Sequence, residues 1–134
     1  MFNTFDVSVS GMVASRIWFD TSAANQANMF TTEDQDGNPC VYKRRYPTFK
    51  VAQDGQGVQV ASIETDEDSV RWKHEPGNPD AVKTGPYKGY VQIPKVDLHT
   101  EITNSMVAER AYEANLTALQ ISKQMISSDL RILG

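Results

Sequence analysis

The side chains best suited to chemistry in this sequence are one cysteine and two histidines, Cys40, His74 and His99. A thiolate beside an imidazole could act as a nucleophile with its base, and the same side chains could bind zinc. The three lie far apart in the chain, however, and the closely spaced ligand pairs that mark zinc sites are missing. We therefore interpret Cys40 as a structural residue on a strand and predict no catalytic residue, metal site or cofactor. A small enzyme using Cys40 and a histidine is kept as an alternative.

Two further stretches carry charge in a suggestive order. The segment 34–38, DQDGN, resembles the start of a calcium loop, but Gly37 comes too early and no twelfth-position glutamate follows in register. A turn is the better interpretation. The basic run 43–45 lies among aromatic residues, as in proteins that stack on nucleic acid. An alternating strand with a solvated face is favoured instead, because the acidic run 64–68 would repel a polyanion.

Length and composition bound the class of protein. The chain has 134 residues, which favours one compact domain. Its formal net charge of −4 disfavours non-specific binding to nucleic acid or membranes. We find no run of eighteen apolar residues, so direct membrane insertion is not expected. The first basic residue is Arg16, which does not fit a secretory signal.

The longest predicted element runs from Asp97 to the C-terminus, and Asp97 is its predicted N-cap. Apolar residues recur there at alternating steps of four and three, interrupted on the same seam by Ser105, Glu109 and Lys123. They are Leu98, Ile102, Tyr112, Leu116, Leu119, Ile126, Leu130 and Leu133. A second row, which includes Met106, Ala108 and Met125, widens this face. The pattern predicts an amphipathic helix on the order of 50 Å long, which needs a large partner to cover it.

The first thirty residues are also predicted to be helical. The same four-three stepping, broken by Arg16 and Gln26, is followed by Phe5, Val9, Met12, Phe19, Ala23 and Phe30. Charged residues are sparse in this segment, so we expect the helix to be covered on more than one side. Gly11 lies in its middle, where it either permits a close helix approach or marks a bend.

Between these helices, the sequence predicts a small β-rich insert. Turn formers occupy 31–39, and strands are predicted at 40–51, 58–63, 70–75 and 90–93, with Pro47 at an edge or bulge and Trp72 pointing inward. The predicted class is therefore α+β. Residues 1–32 and 97–134 form a discontinuous helical core whose helices pack as a coiled-coil-like pair, antiparallel or crossing. The insert, 33–96, is expected to project from one end of the pair.

Several stretches resemble the rod, hook and filament axial proteins of the bacterial flagellum, and within that family the proximal rod proteins. FDVSVSGMVA (5–14) and SAANQANMFTT (22–32) are similar to the family's N-terminal signature. EPGNPDA and GYVQIPKVD are similar to the segment that joins the insert to the last helix. MVAERAYEANLTALQISKQMI (106–126) is similar to the family's C-terminal helix.

The resemblance implies a structural role. Such proteins are exported unfolded without a cleaved signal peptide and assemble into a helical tube that crosses the periplasm, transmits torque and forms part of the export channel. The implied partners are copies of this chain, proximal and distal rod subunits, the protein joining the rod to the MS ring, and the export apparatus. The ends of the isolated chain are expected to be mobile. The expected assembly interface comprises Phe5, Met12, Phe19, Asn25, Asn28, Ile102, Met106, Arg110, Tyr112, Asn115, Leu116, Leu119, Met125 and Leu130. A coiled-coil adaptor that does not polymerise is the alternative.

Overall fold

The computed structural model describes residues 2–53 and 55–133, with the backbone alone for residues 2, 3 and 133. The described residues form two helices and four strands: α1 (Phe2–Ala27), β1 (Arg45–Val51), β2 (Val58–Thr65), β3 (Val70–His74), β4 (Tyr90–Pro94) and α2 (Leu98–Leu133). The predicted α+β class, with a β-rich insert between two long helices, is confirmed. Met1, Asp54 and Gly134 lie outside the description, as does the side chain of Leu133.

The N-terminus of α2 is fixed by Asp97, as predicted. Its Oδ1 accepts a bond from the amide of His99 at 3.2 Å, and its Oδ2 accepts one from the Thr100 hydroxyl at 2.6 Å. The hydrogen bond from the Thr100 hydroxyl lowers the pKa of this carboxyl the most, and the bonds from the backbone amides lower it further. An ionised side chain therefore satisfies the first free amides of a 36-residue helix.

The two helices pack antiparallel. Asn25, near the end of α1, contacts Glu101 at the start of α2, and Gly11 lies against Asn115. Gln26 donates a bond from Nε2 to the Ser105 hydroxyl at 2.8 Å. The structure ends α1 at Ala27, so the prediction of helix through residue 30 is wrong by one turn. The Asn28 side chain bonds back to the Ala24 carbonyl and Phe30 is exposed, so the chain turns away there.

Small side chains form the buried face of α1, which corrects the predicted seam. The buried residues on this helix are Ser8, Ala14, Ser15, Thr21, Ser22 and Asn25, whereas Val9 and Phe19 are exposed. On α2, Ala108 is completely buried, and Leu98, Ile102 and Leu130 from the predicted seam are exposed. Small residues let the helix backbones approach closely, and this close approach turns the larger apolar side chains outward.

The first hairpin lies lengthwise along α1, so the prediction that the insert projects from one end is wrong. Strand β1 pairs antiparallel with β2 from Arg45↔Thr65 to Val51↔Val58, with a bulge at Thr48/Phe49 beside the predicted irregularity at Pro47. The ring of Phe49 meets Trp18 edge to face, with centroids 6.1 Å apart. At the far end, the Ser10 hydroxyl accepts a bond from the amide of Val58. The hairpin stays on the helix because these contacts recur along its length.

The chain before β1 is a loop and not a strand, which shortens the predicted 40–51 strand to Arg45–Val51. The amides of Cys40 and Tyr42 donate to the carbonyls of Thr32 and Thr31. These bonds tie 40–42 to the segment that leaves α1, so this part of the chain does not pair with β2. The turn predicted at 34–38 is confirmed, because the Asp34 carboxylate accepts bonds from the amides of Asp36 and Asn38.

The second hairpin pairs β3 with β4 from Val70↔Pro94 to His74↔Tyr90. Trp72 was predicted to point inward, but 40% of it is exposed and its ring stacks on Tyr87, with centroids 4.5 Å apart. The tryptophan is therefore covered in part, with the ring of Tyr87 in the loop before β4 stacked on it. Among the described residues, no helix is long and apolar enough to cross a membrane.

Candidate assembly site

A buried polar cluster joins the two helices to the insert. It comprises Asn25, Tyr42, Arg44, the backbone of Arg45, and Glu101. Asn25 and Glu101 are each 1% exposed. The Asn25 amide nitrogen donates to the Arg45 carbonyl at 2.7 Å and to Glu101 Oε2 at 3.0 Å. Its Oδ1 accepts from the Arg45 amide and the Tyr42 hydroxyl, both at 2.9 Å. The carboxamide thus uses both its donors and both its acceptor sites.

The charge of Glu101 is balanced inside this polar cluster. Arg44 Nε donates to Glu101 Oε1 at 2.6 Å, while the arginine side chain keeps 26% of its surface exposed. Burial raises the pKa of Tyr42; Arg45 opposes this and Glu101 adds to it, so the phenol stays protonated and keeps donating. A carboxylate removed from water is tolerated only with such partners, because an unpaired buried charge is strongly destabilising.

Ser69 extends the cluster to the base of both hairpins. Its hydroxyl accepts a bond from the Arg44 amide at 2.8 Å and donates to the Asp66 carbonyl at 2.6 Å. Its carbonyl accepts from the Lys95 amide at 2.7 Å, just after β4. The serine is buried. Arg44, Asp66 and Lys95 therefore meet at one point, which ties the chain before β1, the turn after β2 and the end of β4 together.

A second helix contact lies fourteen residues from Asn25 on α1 and from Glu101 on α2. A Cβ atom on Gly11 would lie 2.7 Å from Asn115 Oδ1 and 2.8 Å from its Cγ. The Asn115 amide nitrogen donates to the Ala111 carbonyl of its own helix at 2.8 Å, which fixes the side chain. The helices therefore approach closely at Gly11, which is one of the two alternatives that the sequence predicts.

The C-terminal part of α2 extends past the start of α1. Continuing the alignment of Asn25 with Glu101 places the beginning of α1 beside about residue 124. The last turns of α2 therefore lack the neighbour that covers the rest of the helix. Met125 is 62% exposed, Leu130 is 65% exposed and Ile132 is 81% exposed. We call these three side chains the apolar overhang.

Comparison with known proteins identifies the family. Residues 87–132 match the family model described as flagellar basal body rod FlgEFG protein C-terminal. The chain is 36% identical to the flagellar basal-body rod protein FlgC of Borreliella burgdorferi, over 99% of this chain and 97% of the relative. The FlgC proteins of Yersinia enterocolitica and Bacillus subtilis are 36% and 30% identical, each over 98% of this chain and 97% of the relative. The chain belongs to the FlgC family of flagellar basal-body rod proteins. It is a structural protein of the rod, and the resemblance seen in its sequence is confirmed.

The structure divides the predicted interface of this FlgC-family chain into residues that act within one copy and residues that remain uncovered. Asn25 lies in the polar cluster, and Asn28 bonds to the Ala24 carbonyl and to Thr31 in the turn after α1. The exposed members of the predicted set are Phe19, Ile102, Met106, Arg110, Met125 and Leu130. The half-buried members are Phe5, Met12, Tyr112, Asn115, Leu116 and Leu119.

Sequence reasoning missed Glu101 and Ser69. A glutamate in the first turn of a helix usually complements the helix dipole at the surface, so its type and position gave no sign of burial. Its position relative to Ala108 could have indicated burial. Glu101 lies seven residues before Ala108, and so on the same side of α2, which meets α1. Ser69 follows an acidic turn and gave no signal at all.

The residues first considered for chemistry lie on different elements. Cys40 is exposed in the loop before β1, His74 packs edge to face on Tyr90 in the second hairpin, and His99 lies in the first turn of α2. Within the described residues, no three His, Cys, Asp or Glu side chains gather as a metal site would require. The basic run is divided: Lys43 pairs with Glu67, and Arg44 enters the polar cluster.

Proposed function

We propose that this chain polymerises with copies of itself and with other rod proteins into the helical axial tube of the flagellar basal body. In that role it would transmit torque and form part of the export channel, and it would not act as an enzyme. Its membership of the FlgC family supports the rod assignment. The polymerisation rests on the apolar surface that a single copy leaves uncovered.

The uncovered surface lies on both helices. Val9 and Val13 are exposed on α1, and the apolar overhang is exposed on α2. Burying a fully exposed side chain of this kind contributes about 1.5–3 kcal/mol. Val9 is 46% and Met125 62% exposed, so covering each of them contributes on the order of 1 kcal/mol. A copy cannot cover both regions with its own helices, since these already pack through other faces. Contacts between unlike surfaces of successive copies generate an open helical assembly when their rotation does not close a ring.

We assign different roles to the terminal helices and to the insert. Residues 1–32 and 97–134 would form the assembly core, and the insert, 33–96, would face outward. Of the predicted interface residues, we assign Asn25 to the stability of the single copy, because all of its hydrogen bonds are internal. Met125 and Leu130 are the strongest candidates for contacts between copies, because they are exposed and apolar.

The proposed partners are proximal and distal rod subunits, the protein that joins the rod to the MS ring, and the flagellar export apparatus. The chain would pass through that apparatus unfolded, without a cleaved signal peptide, and take its place in the rod where it crosses the periplasm. We propose neither a nucleic-acid partner nor direct membrane insertion.

Substitution of the apolar overhang tests the proposal. Met125→Asp should leave the free energy of unfolding within about 0.5 kcal/mol of the parent, because the side chain is exposed. It should abolish motility and the recovery of rods in a strain that carries the variant as its sole copy. Gln124→Asp, an exposed neighbour on the same turn, is the matched control and should remain motile. Motile Met125→Asp cells with normal basal bodies would contradict the proposed role of the overhang.

Two further variants separate the alternatives. Leu119→Asp should also block assembly, but Leu119 is half-buried, so its stability must be measured alongside. Cys40→Ala should leave function intact, and loss of function would favour the small-enzyme alternative. A coiled-coil adaptor would form a complex of fixed size with a neighbouring rod protein in sedimentation experiments, whereas a rod subunit would form longer particles.

A further inference from the structure

We propose that the polar cluster is a register device, which selects one alignment of α1 against α2 and makes that selection depend on the insert. The proposal concerns how a single chain folds and does not require the polymer. It rests on three observations: the small residues between the helices, the spacing of two contacts between the helices, and the source of the cluster's hydrogen bonds.

The small residues between the helices do not select a register. The buried faces carry Ala14 and Ser15 on α1 and Ala108 on α2. Sliding one helix by seven residues keeps the same faces together, since a heptad is close to two turns. In one such alignment Gly11 would face Ala108, so two small residues would meet there. The small side chains on these faces therefore do not by themselves exclude the shifted pairings.

One polar contact and one close steric contact do distinguish these pairings. Asn25 with Glu101 and Gly11 with Asn115 lie fourteen residues, or two heptads, apart on each helix. A shift of one heptad in one direction would place Asn25 beside Ala108, and in the other direction it would place Glu101 beside Trp18. Either shift leaves a buried amide or carboxylate without its partner. An unpaired buried polar or charged group is strongly destabilising. A single buried asparagine fixes register in coiled coils for the same reason.

The insert supplies most of the cluster's bonds. Tyr42 and the backbone of Arg45 make three of the four hydrogen bonds of Asn25, and Arg44 holds the other oxygen of Glu101. The helices alone contribute one bond to the cluster, between Asn25 and Glu101, and the bond from Gln26 to Ser105 lies outside it. The correct alignment is therefore fully satisfied only after residues 42–45 close over Asn25. The hydrogen bonds from the insert thus stabilise the observed register of the helix pair.

Distance measurements between two spin labels test the register directly. We would label Ala24→Cys and Thr117→Cys in a Cys40→Ala background, because residues 24 and 117 are exposed. In the observed alignment they are separated by about 22 Å along the helix axis, and a one-heptad shift changes this by about 10 Å. Dilution with unlabelled chain removes distances between copies. The parent should give one narrow distance, and a broad parent distribution would overturn the proposal.

The decisive variant replaces the polar pair by apolar side chains, Asn25→Leu with Glu101→Met. It should keep its helical circular dichroism and show a second distance displaced by about 10 Å. A single unshifted distance would overturn the proposal, and so would loss of helical structure, which would make the cluster a source of stability alone. The matched control, Asn28→Leu with Glu109→Met, changes the same residue types outside the cluster and should keep one distance.

A third variant tests the part played by the insert. Tyr42→Phe with Arg44→Met leaves the bond between Asn25 and Glu101 and removes the insert's side-chain bonds. The second distance should appear here as well, at a smaller population than in the Asn25→Leu and Glu101→Met variant. If the distance stays single and unshifted, the helices set their own register and the insert has no part in it.

Discussion

Replacing Gly11 by alanine tests the close approach of the two helices. In an isolated helix the change is favourable by about 1 kcal/mol, because alanine has the higher helix propensity. Here the new methyl group would lie 2.7–2.8 Å from three atoms of the Asn115 carboxamide. Ordinary van der Waals contact begins near 3.4 Å, so the helices would have to separate by roughly 0.6 Å. The alternative is rotation of Asn115, which would break its bond to the Ala111 carbonyl.

The expected net effect follows from these two terms. Overpacking of this kind costs about 1–3 kcal/mol. Subtracting the gain in helix propensity leaves Gly11→Ala destabilising by about 1 kcal/mol. The free energy of unfolding, from urea titration followed by circular dichroism at 222 nm, measures the effect.

The double variant Gly11→Ala with Asn115→Ala is the control, because it removes the atoms that the methyl group would meet. In the Asn115→Ala background, Gly11→Ala should stabilise the chain by about 1 kcal/mol, which gives a coupling of about 2 kcal/mol between the two sites. Gly11→Ala could instead stabilise the parent chain by as much as it stabilises the Asn115→Ala chain. The helices would then not be in close contact at this point, and the reasoning would fail.

Three further predictions concern the polar cluster and the ends of α2. Glu101→Ala should lower the free energy of unfolding by about 2 kcal/mol. This is less than the loss for a fully buried ion pair, because Arg44 can reach water. Glu109→Ala, at an exposed position, is the control and should change the free energy of unfolding little. Hydrogen exchange in the dilute chain should show slow exchange at 101–115 and fast exchange at 121–133; equal protection would contradict the expected mobility of the overhanging end. The stabilising contribution of Asp97 should be present above the unfolded carboxyl pKa and lost as the pH falls through its lowered folded pKa. An Asp97→Asn variant should therefore lose less helical circular dichroism than the parent between pH 5 and pH 2.

The periodicity of the residues predicts the correct fold class but the wrong inner face for the helices. Both long helices and the intervening strands follow from residue patterns, and the N-cap at Asp97 follows from side-chain chemistry. The four-three stepping of large apolar residues was interpreted as the seam between the two helices. In the structure Val9, Phe19 and Ile102 are exposed. A periodic pattern predicts that a face will be covered, but it does not predict whether the cover comes from the same chain.

Trp72 and the first hairpin illustrate what a pattern of alternation leaves open. The alternation identified the strands, but which side of a two-stranded hairpin is covered depends on what packs against it. For β1–β2 that neighbour is α1, through Trp18 and Ser10. For β3–β4 it is a loop, and Trp72 stays partly exposed against Tyr87. These neighbours are distant in sequence, so no local rule predicts them.

The sequence by itself determined the elements, their order, the family and the close approach at Gly11 as one of two possibilities. These depend on local periodicity, capping and residue patterns that can be recognised along the chain. The tertiary structure alone decided that Glu101 is buried, that Asn25 completes its hydrogen bonds with Tyr42 and Arg45, and that the small residues face inward. Each of these depends on groups that meet only when residues 25, 42–45 and 101 are brought together. The satisfaction of a buried polar group is a property of its surroundings and is not encoded in the residue type.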